Sequence, residues 1–163
     1  MKARIIALCL LATLCLTEAT AAHENVRAPI IHAIDHLRRD TNALRRDSGL
    51  APIPTAFLYR RIDDRAYRLA VLEVWARRHE RAWGGSVWVR LAACESRGRW
   101  AIDAAFDGGL QFHPGTWETY RRPGDARYAF RASPMEQVRV ARRVLASEGW
   151  GAWPACGAML GLR

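Results

Sequence analysis

Lysine is all but missing from this sequence of 163 residues. Of its 25 basic residues 24 are arginines, Lys2 being the exception, and they stand against 16 acidic residues for a formal net charge of +9. Such one-sided usage is readable as base composition alone. Long apolar runs are missing beyond the first 22 residues, which excludes a membrane-spanning helix there. Internal repeats and low-complexity stretches are missing too, so neither a solenoid nor a disordered tract is expected. The length allows one ordinary domain, or a small domain with an appendage, and excludes a large multidomain machine. What is present is half hydrophobic and one quarter charged, the balance of a soluble globular chain.

The amino-terminal segment sets the expected compartment. Lys2 and Arg4 precede an apolar run from Ile5 to Leu16, too short to span a bilayer, and Ala19, Thr20, Ala21 and Ala22 follow. This pattern predicts a secretory signal peptide over residues 1–21, cleaved after Ala21. An uncleaved anchor is the alternative. Cys9 and Cys15 are filler in the apolar segment, without the small preceding residue that lipid modification needs. Export then leaves Cys94 and Cys156, an even number that favours one disulfide over two buried thiols. Closing a loop of that length would contribute about 4 kcal/mol on the chain-entropy account.

The remainder divides into a helical extension over 22–83 and a second part over 84–163, with Gly84 and Gly85 at the boundary. In the extension, Ile30, Ile34, Leu37, Thr41 and Leu44 repeat at helical spacing until Gly49, and a turn with two prolines follows through Pro54. A second helix is expected from Asp63 or Asp64 to His79, with Tyr67, Val71, Val74 and Trp75 on one face. The pair predicts an antiparallel helical hairpin. In the second part Ser86 caps a helix running through Glu95. Gly108 and Gly109 bend the chain before a short strand at Leu110, Gln111 and Phe112. Another helix restarts over Pro114 to Tyr120. Ser133, Pro134, Met135 and Glu136 read as a capping box with proline at the first helical position, opening a helix that ends at Gly149. Its apolar stripe is Met135, Val138, Ala141, Val144 and Leu145. The fold class is therefore α+β and predominantly helical, with a tiny sheet.

Three segments carry a resemblance. Trp88 to Trp100 (WVRLAACESRGRW), Gly108 to Trp117 (GGLQFHPGTW) and Gly149 to Cys156 (GWGAWPAC) match, in order and spacing, the resuscitation-promoting factor domain, a small secreted lysozyme-like module. The resemblance covers about Ser86 to Arg163. It implies cleavage of peptidoglycan glycan strands with the glutamate after the first cysteine, here Glu95, as catalytic acid. It also implies a Cys94–Cys156 disulfide, and it carries Gln111, Thr116, Trp117 and Glu148 over as substrate-contact candidates, Glu148 standing where glutamine is usual. The extension carries no such resemblance.

The chemistry can be argued from the residues. Cleaving a glycosidic bond needs a proton for the leaving oxygen, so one carboxyl must stay protonated near neutrality, and burial does this for a glutamate. Glu95 ends an apolar helix, close in sequence to Trp100, which could form a low-dielectric wall. Arg97 and Arg99 would oppose the acid role at close range and are expected to point away. Asp103, Asp107, Glu118 and Glu148 are candidates for a second carboxylate, with Asp107 favoured by its place before the glycine pair. The similar lytic transglycosylases manage with one glutamate and form a 1,6-anhydro end. Trp117 is the best candidate for stacking on a sugar, whereas Trp150 and Trp153 are expected to pack around the disulfide.

His32 and His36 stand four apart, a spacing that suits a metal, but nothing completes a ligand shell, so no metal and no other cofactor is expected. Expected partners are peptidoglycan strands and anionic wall polymers held by the arginine-rich face, with a merely solvated face as the alternative. Export argues against nucleic acid and places the protein outside the cell or in its wall. A wall-binding module that keeps the cleft without activity is the competing function. A basic membrane-active protein is a third class.

Overall fold

A computed structural model of the protein describes residues 27–54 and 58–163; the expected signal peptide lies outside these residues. The chain divides between Ala82 and Trp83 into two compact units. No helix of the described residues is long and apolar enough to cross a membrane.

The first unit is built on α1 (27–47), a short α2 (Leu58–Arg61) and α3 (Arg65–Gly84), whose last two residues pass into the second unit. The stripe on α1 faces inward as expected: Ile34, Thr41 and Leu44 are buried. Helix α1 ends at Gly49 in the left-handed region, φ +71°, where a residue without a Cβ is least strained. Helix α3 starts one residue after Asp64, whose carboxylate accepts from the backbone N–H of Ala66 and Tyr67. Its inward face is Tyr67, Arg68, Val71, Leu72 and Trp75. Val74, expected inside, is 36% exposed.

The expected antiparallel arrangement is corrected. Asn42 of α1 exchanges two hydrogen bonds with the backbone of Ile53. Earlier on the same helix Asp35 accepts from Tyr59 and pairs with Arg60, and Arg27 reaches the carbonyl of Arg60 and, at 3.9 Å, the carboxylate of Asp63. The chain therefore runs back along α1 from its end to its start. Helix α3 then retraces the direction of α1, and Thr41 meets His79 at 3.5 Å. A stripe of apolar residues fixes a helix face but not a helix direction.

Arg68 is 1% exposed, and its guanidinium donates to the carbonyl of Ile62 and the carboxylate of Asp63. This buried cation replaces an apolar residue in the stripe. A cavity of about 320 Å³ in this unit is lined by Tyr59, Tyr67, Val71 and Trp75 together with Arg78.

The second unit is mainly helical: α4 (Val87–Ser96), α5 (Pro114–Tyr120), α6 (Pro134–Glu148) and α7 (Pro154–Met159), with 3-10 turns at Ala129–Arg131 and Gly149–Ala152. Its β content among the described residues is one antiparallel bridge, Asp107 to Phe112. The expected short strand reduces to that bridge. Ser86 caps α4 by accepting from Val89, and Ser133 caps α6 by accepting from Glu136, with Pro134 next. The reciprocal half of the capping box is not made, because the Glu136 carboxylate accepts from Ala126 instead. The core joins Trp88, Leu91, Leu110, Phe112, Trp117, Val138, Val144 and Trp153. Helix α4 packs on α7, and α6 on α5. A disulfide between Cys94 and Cys156, with Cα atoms 5.8 Å apart, fastens α4 to α7.

Candidate active site

Glu95 is the next-to-last residue of α4. The helix ends because Arg97 turns into the left-handed region, φ 58°, followed by Gly98 at φ 74°, whose N–H closes on the carbonyl of Ala92. That arrangement satisfies the last carbonyls and holds the final turn in place. The turn is also held covalently, since Cys94 precedes Glu95. Glu95 is half-buried, and burial alone raises its carboxyl above the ordinary range. The carboxyl also sits at the negative end of a helix, which further disfavours its ionised form. Arg97 and Arg99 are exposed, and the Arg99 guanidinium donates to the carbonyl of Ser96. Among the described residues no ion pair reaches Glu95.

The loop after α4 is shaped by close contacts. Gly108 is at φ +73°, and a Cβ there would lie 2.5 Å from Gln137 Oε1. A Cβ on Gly109 would lie 2.7 Å from the Trp100 ring. Both positions therefore require glycine. Trp100 in turn packs against Trp83 at 5.5 Å between ring centroids.

Gln137, which the sequence reading passed over, organises this loop. It is fully buried. Its Oε1 accepts from Gly109 N–H at 2.8 Å, and its Nε2 donates toward the carbonyls of Trp100, Ala129 and Ala132. The signal was available: Gln137 lies four and seven residues before Ala141 and Val144, in the inward register of α6, where an amide is out of place unless fully bonded.

A pocket of about 90 Å³ lies beside this loop. It brings together Gln111, Thr116 and Glu148, with Phe106, His113 and Trp153 among its walls. Among the described residues Gln111 is one of two non-glycine residues at positive φ, 52°. Its Nε2 donates to the carbonyls of Gly108 and Phe106, which turns the amide oxygen into the group left for a ligand. Thr116 lies in the first turn of α5, and Glu148 ends α6 with its side chain exposed. The Trp153 indole, bonded to the carbonyl of Leu110, closes the floor.

Glu95 is not among the residues that line this pocket, and two further candidates, Trp117 and Asp107, are taken up by the core and by their own loop. Trp117 is 2% exposed; its indole N–H donates to Ala126 O and its ring meets Phe112 edge-on. It is a core residue, and no face of it is free to stack on a sugar. Asp107 is 5% exposed, pairs with Phe112 through the bridge, and turns its carboxylate to the Ala104 N–H. It serves its own loop. Trp150 and Trp153 gather around Trp88, at 5.3 and 5.9 Å, next to Cys156. His32 and His36 lie on the exposed side of α1, with His36 beside Asp40.

Comparison with known proteins covers this second unit. A family model described as a transglycosylase-like domain matches residues 83–156. Resuscitation-promoting factor Rpf1 of Corynebacterium glutamicum is 53% identical over 79 residues, 47% of this chain and 41% of that protein. Resuscitation-promoting factor RpfC of Mycobacterium tuberculosis is 46% identical over 77 residues, 46% of this chain and 53% of that protein. The factor Rpf of Micrococcus luteus is 43% identical over 77 residues, 46% of this chain and 33% of that protein. The chain thus spans about half or less of the length of these relatives. Residues 83–156 form a transglycosylase-like domain of the resuscitation-promoting factor type, small, predominantly helical and lysozyme-like in class.

Proposed function

We propose that the second unit cleaves the glycan strands of peptidoglycan in or outside the cell wall, with Glu95 as the general acid. The observation that carries this reading is the half-buried Glu95 carboxyl, unpaired at the end of α4 and held above its ordinary range by burial. Such a group keeps its proton at a pH where an exposed glutamate has lost it. It can then give that proton to the leaving glycosidic oxygen while positive charge develops on the sugar ring. Gln111, Thr116 and Glu148 are the side chains to hold that sugar, since they line one pocket beside the loop that follows α4. With Asp107 engaged by its own backbone, a route using a single carboxyl fits best: Glu95 acts first as acid, then as base toward either water or the substrate's own hydroxyl. A role in promoting resuscitation is in keeping with the relatives' names, and wall remodelling would follow from the cleavage itself.

The test is digestion of purified peptidoglycan by the wild-type chain and by Glu95→Gln, with the released fragments identified by mass spectrometry. Release by the wild type and its loss in the variant is expected. Equal release by both would discard the assignment of Glu95, and release by neither would leave a wall-binding module. Fragment masses lower by one water would assign the product as the anhydro end.

A further inference from the structure

We propose that Arg127 and Arg131, mounted on the stacked rings of Tyr128 and Phe130, form an accessory surface that binds the carboxylates of the peptide stems on the glycan strand; this rests on the peptidoglycan reading above. The four side chains make a continuous ladder. The Arg127 guanidinium lies 5.3 Å over the Tyr128 ring, the Tyr128 and Phe130 rings stack at 5.5 Å and 14°, and the Arg131 guanidinium lies 5.4 Å over Phe130. The backbone accounts for it. Tyr128 is extended and leads into the 3-10 turn Ala129–Arg131, whose first residue Ala129 is buried in the core while the Tyr128 and Phe130 rings meet outside it.

Stacking on a ring orders an arginine before any ligand arrives, and the entropy of holding that long side chain is then not lost on binding. A guanidinium lying on a ring still presents its N–H donors at the edge, where a carboxylate can accept two of them in parallel. Two other arginines of this region have spent theirs: Arg121 on Glu118, and Arg143 on Asp125 and the carbonyl of Tyr120. Among the described residues neither Arg127 nor Arg131 makes an ion pair within contact distance of a carboxylate, while both are exposed and Tyr128 is 41% exposed. Glu118 feels the charge of Arg127, but its two oxygens are held by Arg121. Two aromatic rings separate the guanidinium groups, so they do not converge on a single phosphate. They suit two carboxylates carried on one flexible peptide, on the same polymer that supplies the glycan.

The experiment compares Glu95→Gln with the same chain carrying R127Q and R131Q in addition, by sedimentation with three insoluble probes. These are peptidoglycan stripped of phosphate polymers, the same material with its carboxyls amidated, and stem-free glycan strands. On the first probe the added pair should weaken binding roughly fivefold to thirtyfold, as expected for two exposed charge-assisted contacts. On the other two it should change nothing. A chain with R127K and R131K instead keeps the charge but not the planar fork, and should recover only part of the lost affinity; it also stands in if the glutamine pair does not fold. Equal weakening on stem-free strands would overturn the proposal. So would unchanged binding to the first probe, which lacks phosphate polymers. Failure of the cleavage reading would show separately, as fragment release unchanged by Glu95→Gln, because the sedimentation difference does not depend on turnover.

Discussion

The two units solve the same problem with different means. The first closes a core between two long helices using stripes of apolar residues, then fixes the return segment with buried polar partners: Asn42 on Ile53, Asp35 on Tyr59 and Arg60, Arg68 on Ile62 and Asp63. The second has short helices that no stripe alone could hold together. It relies instead on interlocking tryptophans, a disulfide and one buried amide. Short helices need such tertiary anchors because isolated segments under about 12 residues are marginal in water. The anchors also leave loop backbone free to shape a pocket. The comparisons with known proteins match this second construction and begin at residue 83.

That contrast can be tested by removing the devices singly. The largest expected effect is on chemistry: Glu95→Gln should lower fragment release by roughly 10²–10⁴-fold, the usual contribution of a general acid, with the far-ultraviolet circular dichroism unchanged. Replacing both cysteines with serine should cost about 4 kcal/mol, the chain-entropy value for a loop of this length. The loss should appear in tryptophan fluorescence, because six of the seven tryptophans lie in the second unit and only Trp75 in the first. A denaturant midpoint left in place after the cysteines are removed would count against the disulfide as its main anchor.

Smaller effects follow from the buried polar groups. Gln137→Leu should destabilise the second unit by about 2–4 kcal/mol, since it strands the Gly109 N–H and deprives buried carbonyls of their donor; chemical denaturation measures this directly. In the first unit Arg68→Met should cost less, because the partners of Arg68 lie partly in water: the Asp63 side chain is 60% exposed. Here the expected change is within about 1 kcal/mol. The subtlest prediction concerns pH. A carboxyl raised in the folded state contributes stability that is fully present below its unfolded pKa, about 4.3, and is lost as pH rises through its higher folded value. Thermal midpoints of wild type and Glu95→Gln should therefore run parallel at low pH and diverge above it, the variant becoming relatively more stable. Curves that stay parallel up to neutrality would remove the physical basis for Glu95 as an acid.

Much of this was legible in the sequence, for identifiable reasons. Helix boundaries at Ser86, at Ser133 and Pro134 and at Gly49 are local chemistry, written in the residues that satisfy free backbone groups. The Cys94–Cys156 pairing followed from a count of two. The direction of α3 was not legible, because periodicity carries no information on which way a return segment runs and the contacts that decide it, such as Asn42 with Ile53, join residues of no regular spacing. Trp117 was misplaced for a related reason. Its position beside Thr116 is compatible with either side of the helix, and only the carbonyl of Ala126, nine residues on, makes burial of its N–H possible. Gln137 escaped because its partners come from two separate connecting segments, one before α5 and one before α6.

That same amide has an electrical consequence. Gln137 carries no ionisable proton, so the framework that holds Trp100 and Gly109 in place is indifferent to acidity across the range where Glu95 would change state. A glutamate at 137 would tie the loop's architecture to the medium, whereas an amide keeps the scaffold constant while the reactive group alone responds.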